Sequence, residues 1–319
     1  MYLFLCLAVT IPLEHTPESL TAAHHTWLKE TQFCCTYTFY EDDLTQRQDP
    51  YSPDRLDDLD PKAAGALLKN GTNVRFSRIS PSGANGSWQS LLDDKFELIY
   101  VPRWNSSYDT ATFTSRSQLP YDRPRKFRAE LELSPLNPIG GAFDGLPGEP
   151  PGDAAWEVAK ADAEFVHMRK EVTSKRGSNH ICEIEFWVEP TTPVISRIVC
   201  TFQSRLAELT TVTETRMFDW IDCGEFKVPG RIVRSLTEKT RTAGSNGFGF
   251  RERVKLNIWH SQDLNGRVPT LSEFAFTVRP TTNVMGLRNI PAPGTVRKLS
   301  ISDMQRDQAL NGKSEIIAK

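Results

Sequence analysis

The sequence predicts a mainly β protein of the antiparallel kind with a small helical component. Three observations predict it. Short runs in which apolar and polar residues alternate recur along the chain, as in Cys182-Glu183-Ile184-Glu185-Phe186-Trp187-Val188, and a period of two places one set of side chains on each face of a sheet. Turn signals such as Asn70-Gly71, Asp222-Cys223-Gly224 and Asn265-Gly266 separate these runs, the punctuation of hairpins. Helical spacing is confined to a short N-terminal window around Leu20, Ala23, His24 and Trp27.

Taken in order, Pro17–Lys29 reads as a short helix, with Pro17-Glu18-Ser19-Leu20 opening it. Cys35, Tyr37 and Phe39 alternate with Thr36, Thr38 and Tyr40 in a first strand that enters an acidic stretch, Glu41 to Lys62. With Pro50, Pro53 and Pro61 among its carboxylates, that stretch is expected to be a solvated loop. Ala63–Lys69 is expected to form a helical turn. Asn70-Gly71, Val74–Ile79 and Asn85-Gly86 then give a hairpin pattern, and Phe96–Val101 and the segment around Phe113 give further strands. Lys126–Leu133 alternates cleanly. Residues 134–153, with five prolines and five glycines, interrupt the pattern as an inserted loop, and strands resume at Trp156.

The centre of the chain, Ile181–Leu236, reads as a four-strand meander. Glu189-Pro190-Thr191-Thr192-Pro193 breaks its first strand, and Ile198, Cys200 and Phe202 renew the alternation. Leu209–Phe218 is β-prone by its threonines, and Glu225–Leu236 follows. Ala243–Gly247 then connects to Arg251–His260, where Val254, Leu256 and Ile258 share a face, and Phe274, Phe276 and Val278 form the last alternation. From Ser300 the chain is polar and expected to fray. The expected organisation is an export-signal-like segment over 1–14, one β-domain over 15–299 with its insertion at 134–153, and a polar tail over 300–319.

The 319 residues carry a net charge of -2 with a pI near 6.3 and a mean hydropathy of -0.42. Nothing in that balance favours nucleic acid or an anionic membrane surface. The apolar run Met1–Pro12 is too short to span a bilayer. It reads either as the core of an export signal lacking its basic flank, the preferred reading, or as a buried element.

Signatures of chemistry are scarce. The six cysteines contain no C-x-x-C pair, and Cys182 and Cys200 are expected on adjacent strands as either a disulfide or two buried thiols. The six histidines contain no H-E-x-x-H, and the aspartates Asp57, Asp58 and Asp60 lack the spacing of a calcium loop. Gly244–Gly249 sits between two strands without a P-loop lysine, so a hairpin turn is favoured over a phosphate cradle. There is no G-x-S-x-G elbow. Asn70, Asn85 and Asn105 fit the glycosylation sequon, and two of the three double as turns. No catalytic residue, metal or cofactor is expected.

Trp187 to Leu236 resembles the second half of LolA-like lipoprotein carriers. The likeness lies in Val188-Glu189-Pro190, Ser196–Phe202, Thr210–Thr215, Phe218-Asp219-Trp220 and Phe226–Val233. Asn70–Phe76 resembles an early hairpin of large secreted planctomycete-type members. The resemblance implies a curved antiparallel sheet or half-barrel of about ten strands, with short helices on its concave face. It further implies an extracytoplasmic, non-enzymatic protein holding a lipid or lipidated partner. On that reading Phe186, Val188, Phe202, Leu256, Ile258, Phe274 and Phe276 line the cavity and the helix around Trp27 plugs it. The alternative is a secreted structural or interaction module whose core is fully packed. Oligomeric state and ligand identity are not readable from the sequence.

Overall fold

The computed structural model describes residues 16–44, 51, 56, 59–81, 83–102, 109–115, 133–136, 156–161, 165–173, 178–187, 194–204, 208–244, 247–278, 282–285 and 297–305. The signal-like segment, most of Lys126–Leu133 and of the insertion, Val188 and the Asn105 sequon lie outside them.

Among the described residues the one long helix, α1, is Pro17–Glu30. Its start is a capping box: the Thr16 hydroxyl accepts from Ser19 N at 3.2 Å, and the Ser19 hydroxyl accepts from Thr16 N at 3.1 Å. Pro17 occupies the first turn, where its missing N–H costs nothing.

The strands follow as β1 (Gln32–Leu44), β2 (Pro61–Asn70), β3 (Asn73–Ser80), β4 (Gly83–Leu92), β5 (Phe96–Val101) and β6 (Thr110–Ser115). Next come β7 (Glu157–Ala161), β8 (Phe165–Thr173), β9 (Ser178–Trp187), β10 (Val194–Ser204), β11 (Leu209–Cys223), β12 (Phe226–Gly244) and β13 (Gly247–Asn265). Three short strands close the series, β14 (Phe276–Val278), β15 (Asn283–Met285) and β16 (Arg297–Leu299). Fourteen of them form one sheet in the order β15-β6-β5-β4-β3-β2-β1-β13-β12-β11-β10-β9-β8-β7, and β14 pairs with β16 apart from it. Every pair in the large sheet is antiparallel except β15 with β6. Its two ends, β15 and β7, do not meet, so the sheet is not a closed barrel.

Both faces of this sheet are covered. One face carries the main apolar cluster, which includes Phe33, Tyr37, Leu67, Phe76, Met168, Ile184, Ile198, Ile232 and Trp259, with Leu20 and Trp27 of α1 laid against it. The other face is covered in two places. Tyr51, Leu56 and Leu59 pack against Tyr40, Val233, Leu256 and Ile258. The C-terminal segment, with Phe274, Phe276, Leu299 and Met304, packs against Leu91, Leu98 and Phe113.

Five expectations are corrected. The sheet has fourteen strands rather than about ten, because the expected helical turn at Ala63–Lys69 is part of β2 and the far edges add the short strands β7 and β15. Ala63–Lys69 is not a helical turn. It lies in β2, laddered to β1 and β3, and hydrogen bonds on both sides override the helical propensity of its alanines and leucines. Asn85-Gly86 lies inside β4, and the chain reverses instead between Ser80 and Gly83, which face each other. The chain from Ser300 does not fray at once: a helical turn over 301–305 buries Ile301 and Met304. Within the acidic stretch, Tyr51, Leu56 and Leu59 pack on the sheet rather than standing in solvent.

Gly65 is required by close approach. A Cβ there would lie 1.8 Å from Ser77 O and 2.7 Å from the Tyr37 ring, and the nearer of these atoms is backbone and cannot swing aside. Gly65→Ala should therefore destabilise the protein by about 3 kcal/mol. Urea unfolding with an unchanged m-value and a lowered midpoint would bear this out; an unshifted midpoint would refute it.

Candidate functional site

The apolar face under α1 is the candidate site. Its centre is a row of stacked rings running across strands. Trp259 on β13 lies 3.8 Å from Tyr37 on β1, Tyr37 lies 5.3 Å from Phe76 on β3, and Phe76 lies 4.9 Å from Trp88 on β4. The row passes β2 at Gly65, where the absent side chain makes room for the Tyr37 ring. Two of the polar tips have partners: Tyr37 Oη donates to Ser77 O at 3.1 Å, and Trp259 Nε1 donates to Ser261 Oγ at 2.9 Å. Such pairing lets amphipathic rings be buried at little polar cost.

Helix α1 packs on the same apolar cluster through Leu20 and Trp27 and is tied down at two points. Trp27 Nε1 donates to Lys227 O at 2.9 Å. Lys227 belongs to the part of β12 beyond Arg231↔His260, the last pair on that side with β13. At the second point the Lys69 side chain, 1% exposed, reaches from β2 to the helix C-terminus. Its Nζ donates to Leu28 O at 2.6 Å, Thr31 O at 3.2 Å and Gly71 O. Leu28 O lies in the last helical turn, where carbonyls have no partner within the helix and negative potential collects. One ammonium thus joins the helix end, the start of β1 and the β2–β3 turn. Burial lowers it from its ordinary value of 10.5 to about 8.

The thiols near this end of the sheet are not nucleophiles at neutral pH. Burial pushes Cys35 up to about 12 and Cys223 up to about 11, and raises Cys34 as well; the reactive species is the thiolate. Cys182 and Cys200 do face each other across β9 and β10, and Cys200 is a free thiol. Among the described residues no group of three or more His, Cys, Asp or Glu side chains could hold a metal ion. Among them also, no helix is long and apolar enough to cross a membrane.

The residues expected to line one cavity are distributed over three places. Trp27 lies in the main cluster. Phe202 is half-buried on β10, two positions beyond Cys200, which packs on the main cluster. Phe186 pairs in register with Ile195 and Val166, both of that cluster. Leu256 and Ile258 point to the other face, into the cluster with Tyr40 and Val233. Phe274 and Phe276 pack in the C-terminal cluster. Val188 is outside the described residues. Sequence reasoning missed Trp259 and Lys69. Trp259 sits in the more polar alternation of β13, beside Lys255 and Asn257, and a Trp there was the available signal. Lys69 carried none, since lysine in a strand reads as surface.

The chain matches no protein-family model, no curated protein and no solved structure.

Lys69→Met removes the donor of three carbonyls while keeping the length of the side chain. The expected loss is about 2 kcal/mol at neutral pH, measured by urea unfolding. The pH dependence has a definite sign. Between about 8 and 10.5 the unfolded chain holds the Lys69 proton and the folded protein does not, so this group adds stability as pH rises through that window and adds none below it. The gap between the two proteins should therefore widen in favour of the wild type on going from neutral pH toward 10. A constant gap would show that Lys69 is not buried as described.

Proposed function

We propose that this chain is a non-enzymatic, extracytoplasmic binding protein of LolA-like shape. Its apolar sheet face, beneath α1, accepts a lipid or a lipidated partner. The observation that carries the reading is a mismatch of dimensions. The main cluster draws on ten neighbouring strands, from β4 across β1 and β13 to β8, which at ~4.8 Å per spacing would be roughly 43 Å wide if flat. The 14 residues of α1 are about 20 Å long and ~10 Å thick. With Leu133 and Leu136, this helix is the described cover. A flat sheet could not hide Trp88 at one side and Met168 at the other beneath so small a lid, so a sheet curled into a half-barrel accounts for their burial.

The lid is held by few apolar side chains. Leu20 and Trp27 are its buried apolar anchors, while Ser19, Ala22, Thr26, Lys29 and Glu30 face outward. A ligand that displaced it would replace apolar contact with apolar contact, losing mainly the Trp27 and Lys69 hydrogen bonds. Trp156, Trp220 and Phe226, half-buried at the margin of the cluster, offer further apolar surface to an acyl chain.

The interaction-module reading has one observation in its favour. Tyr37, Phe76 and Trp259 are 0–1% exposed, as in a core that is already full. Two measurements separate the readings. Solvent extraction and mass spectrometry of natively purified protein should recover a stoichiometric lipid. A fluorescent acyl probe should enter the Trp27→Ala variant about tenfold faster than the wild type, because the lid has lost an anchor. A clean protein that ignores the probe in both forms would leave the packed module as the function.

A further inference from the structure

The opposite face of the sheet holds a feature that the apolar-ligand reading does not use. An open cleft of about 470 Å³ is lined by Phe165, Glu185, Ser196, Arg197, Arg216, Met217, Phe218 and Asp219. Its volume falls within the roughly 300–1,000 Å³ of small-molecule sites. Its floor is a cross-strand ladder, since Glu185 of β9 is in register with Arg197 of β10, and Arg197 with Arg216 of β11.

The charges of this ladder are interleaved, with Glu214 the most buried carboxylate at 19% side-chain exposure and Asp219 the most exposed at 61%. Glu214 Oε1 accepts from Arg197 Nε at 2.7 Å and from Arg216 Nε at 2.8 Å. Glu185 Oε1 accepts from Arg197 Nη1 at 2.9 Å. Asp219 is held at 3.0 Å by Arg231, which is 6% exposed. Burial by itself would raise the Glu214 carboxyl, but the two guanidinium hydrogen bonds outweigh it and hold it below its ordinary value. Glu214 therefore stays ionised and clamps the two arginines side by side.

Each guanidinium has five N–H donors, and the clamp uses few of them. Arg216 bonds through Nε and Arg197 through Nε and Nη1, so among the described residues Arg197 Nη2 and both terminal nitrogens of Arg216 have no protein acceptor. The side chains are 37% and 39% exposed. Arg216 is held flat by Tyr51, whose ring centroid lies 4.0 Å from its Cζ. Tyr51 is fixed in turn by a 2.9 Å hydrogen bond between its hydroxyl and Ser235. Two pre-aligned guanidinium forks beside Phe165 and Phe218 match an anion with an apolar body, since forks pair with the oxygens of carboxylate and phosphate.

We propose that this cleft binds a small amphipathic anion, a carboxylate or phosphate group received by Arg197 and Arg216 with its apolar part against Phe165 and Phe218. The site lies across the sheet from α1 and stands whether or not that face takes a lipid. Such an anion has two sources, a soluble metabolite-sized molecule or the headgroup of a lipid in a bilayer.

Isothermal titration of the full chain with octyl phosphate, octyl glucoside and inorganic phosphate tests the site. Octyl phosphate should bind more tightly than either of the others, and Arg216→Gln should weaken it about tenfold, the worth of one lost charge-assisted contact. Should that variant not fold, Arg216→Lys keeps the charge, loses the fork and should weaken binding in the same direction. Glu185→Gln, which removes a competing carboxylate, should leave octyl phosphate binding equal or tighter. Retention on phosphatidylglycerol vesicles but not on phosphatidylcholine, lost in Arg216→Gln, would assign the lipid headgroup; octyl phosphate binding without retention would assign a free anion. Octyl phosphate binding no tighter than octyl glucoside, or undiminished in both arginine variants, would overturn the proposal.

Discussion

One buried ammonium holds the architecture together. Lys69 leaves β2, passes into the interior and ends among three backbone carbonyls that belong to α1, to the residue before β1 and to the β2–β3 turn. These carbonyls lie at the ends of elements, where regular partners run out, and a buried unpaired carbonyl is costly. The ammonium satisfies all of them at once. It fixes where the helix stops, and so where Trp27 and Leu20 enter the main apolar cluster.

The second constraint is that the central strands are buried on both sides. In β1 the residues Phe39 and Tyr40 are both nearly inaccessible, although they point to opposite faces. This sets how much the sequence discloses. The helix, the hairpin at Asn70-Gly71 and the alternations of β1, β9 and β10 are legible because period and turn chemistry are local. Which alternation meets α1 is not local. In β13 the more apolar set, Leu256 and Ile258, faces the loop that carries Tyr51, while the polar-looking set supplies Trp259. Hydrophobic pattern names two faces and does not say which partner each will find. The same limit explains Ala63–Lys69, whose composition favours helix and whose neighbours impose strand.

The arginine cleft was beyond sequence reading for a related reason. Glu185, Arg197, Glu214 and Arg216 are scattered over three strands, and each alone reads as an ordinary polar residue on a solvated face. Register brings them together, and register depends on the bulge between Ile195 and Arg197 in the pairing of β9 and β10. A shift of one residue would send Arg197 to the apolar side. The LolA-like resemblance points to the apolar face and is silent on this one. Its strand grammar concerns turns and periods, which many antiparallel sheets share.

The place of β1 in the sheet has a consequence for how the chain is made. Strands β7 to β13 add one after another, each beside its predecessor, and β1 to β6 do the same. The two meanders are joined along β1 and β13, through pairs such as Phe39↔Trp259 and Thr38↔His260, more than two hundred positions apart in the chain. On a ribosome β1 is therefore finished long before its neighbour exists. Until β13 emerges, the first meander presents an unpaired edge whose strand carries Phe33, Tyr37 and Phe39, a template for any extended chain nearby. Closing so distant a pairing is slow. Until that pairing closes, the open edge of β1 is where association with another chain would begin.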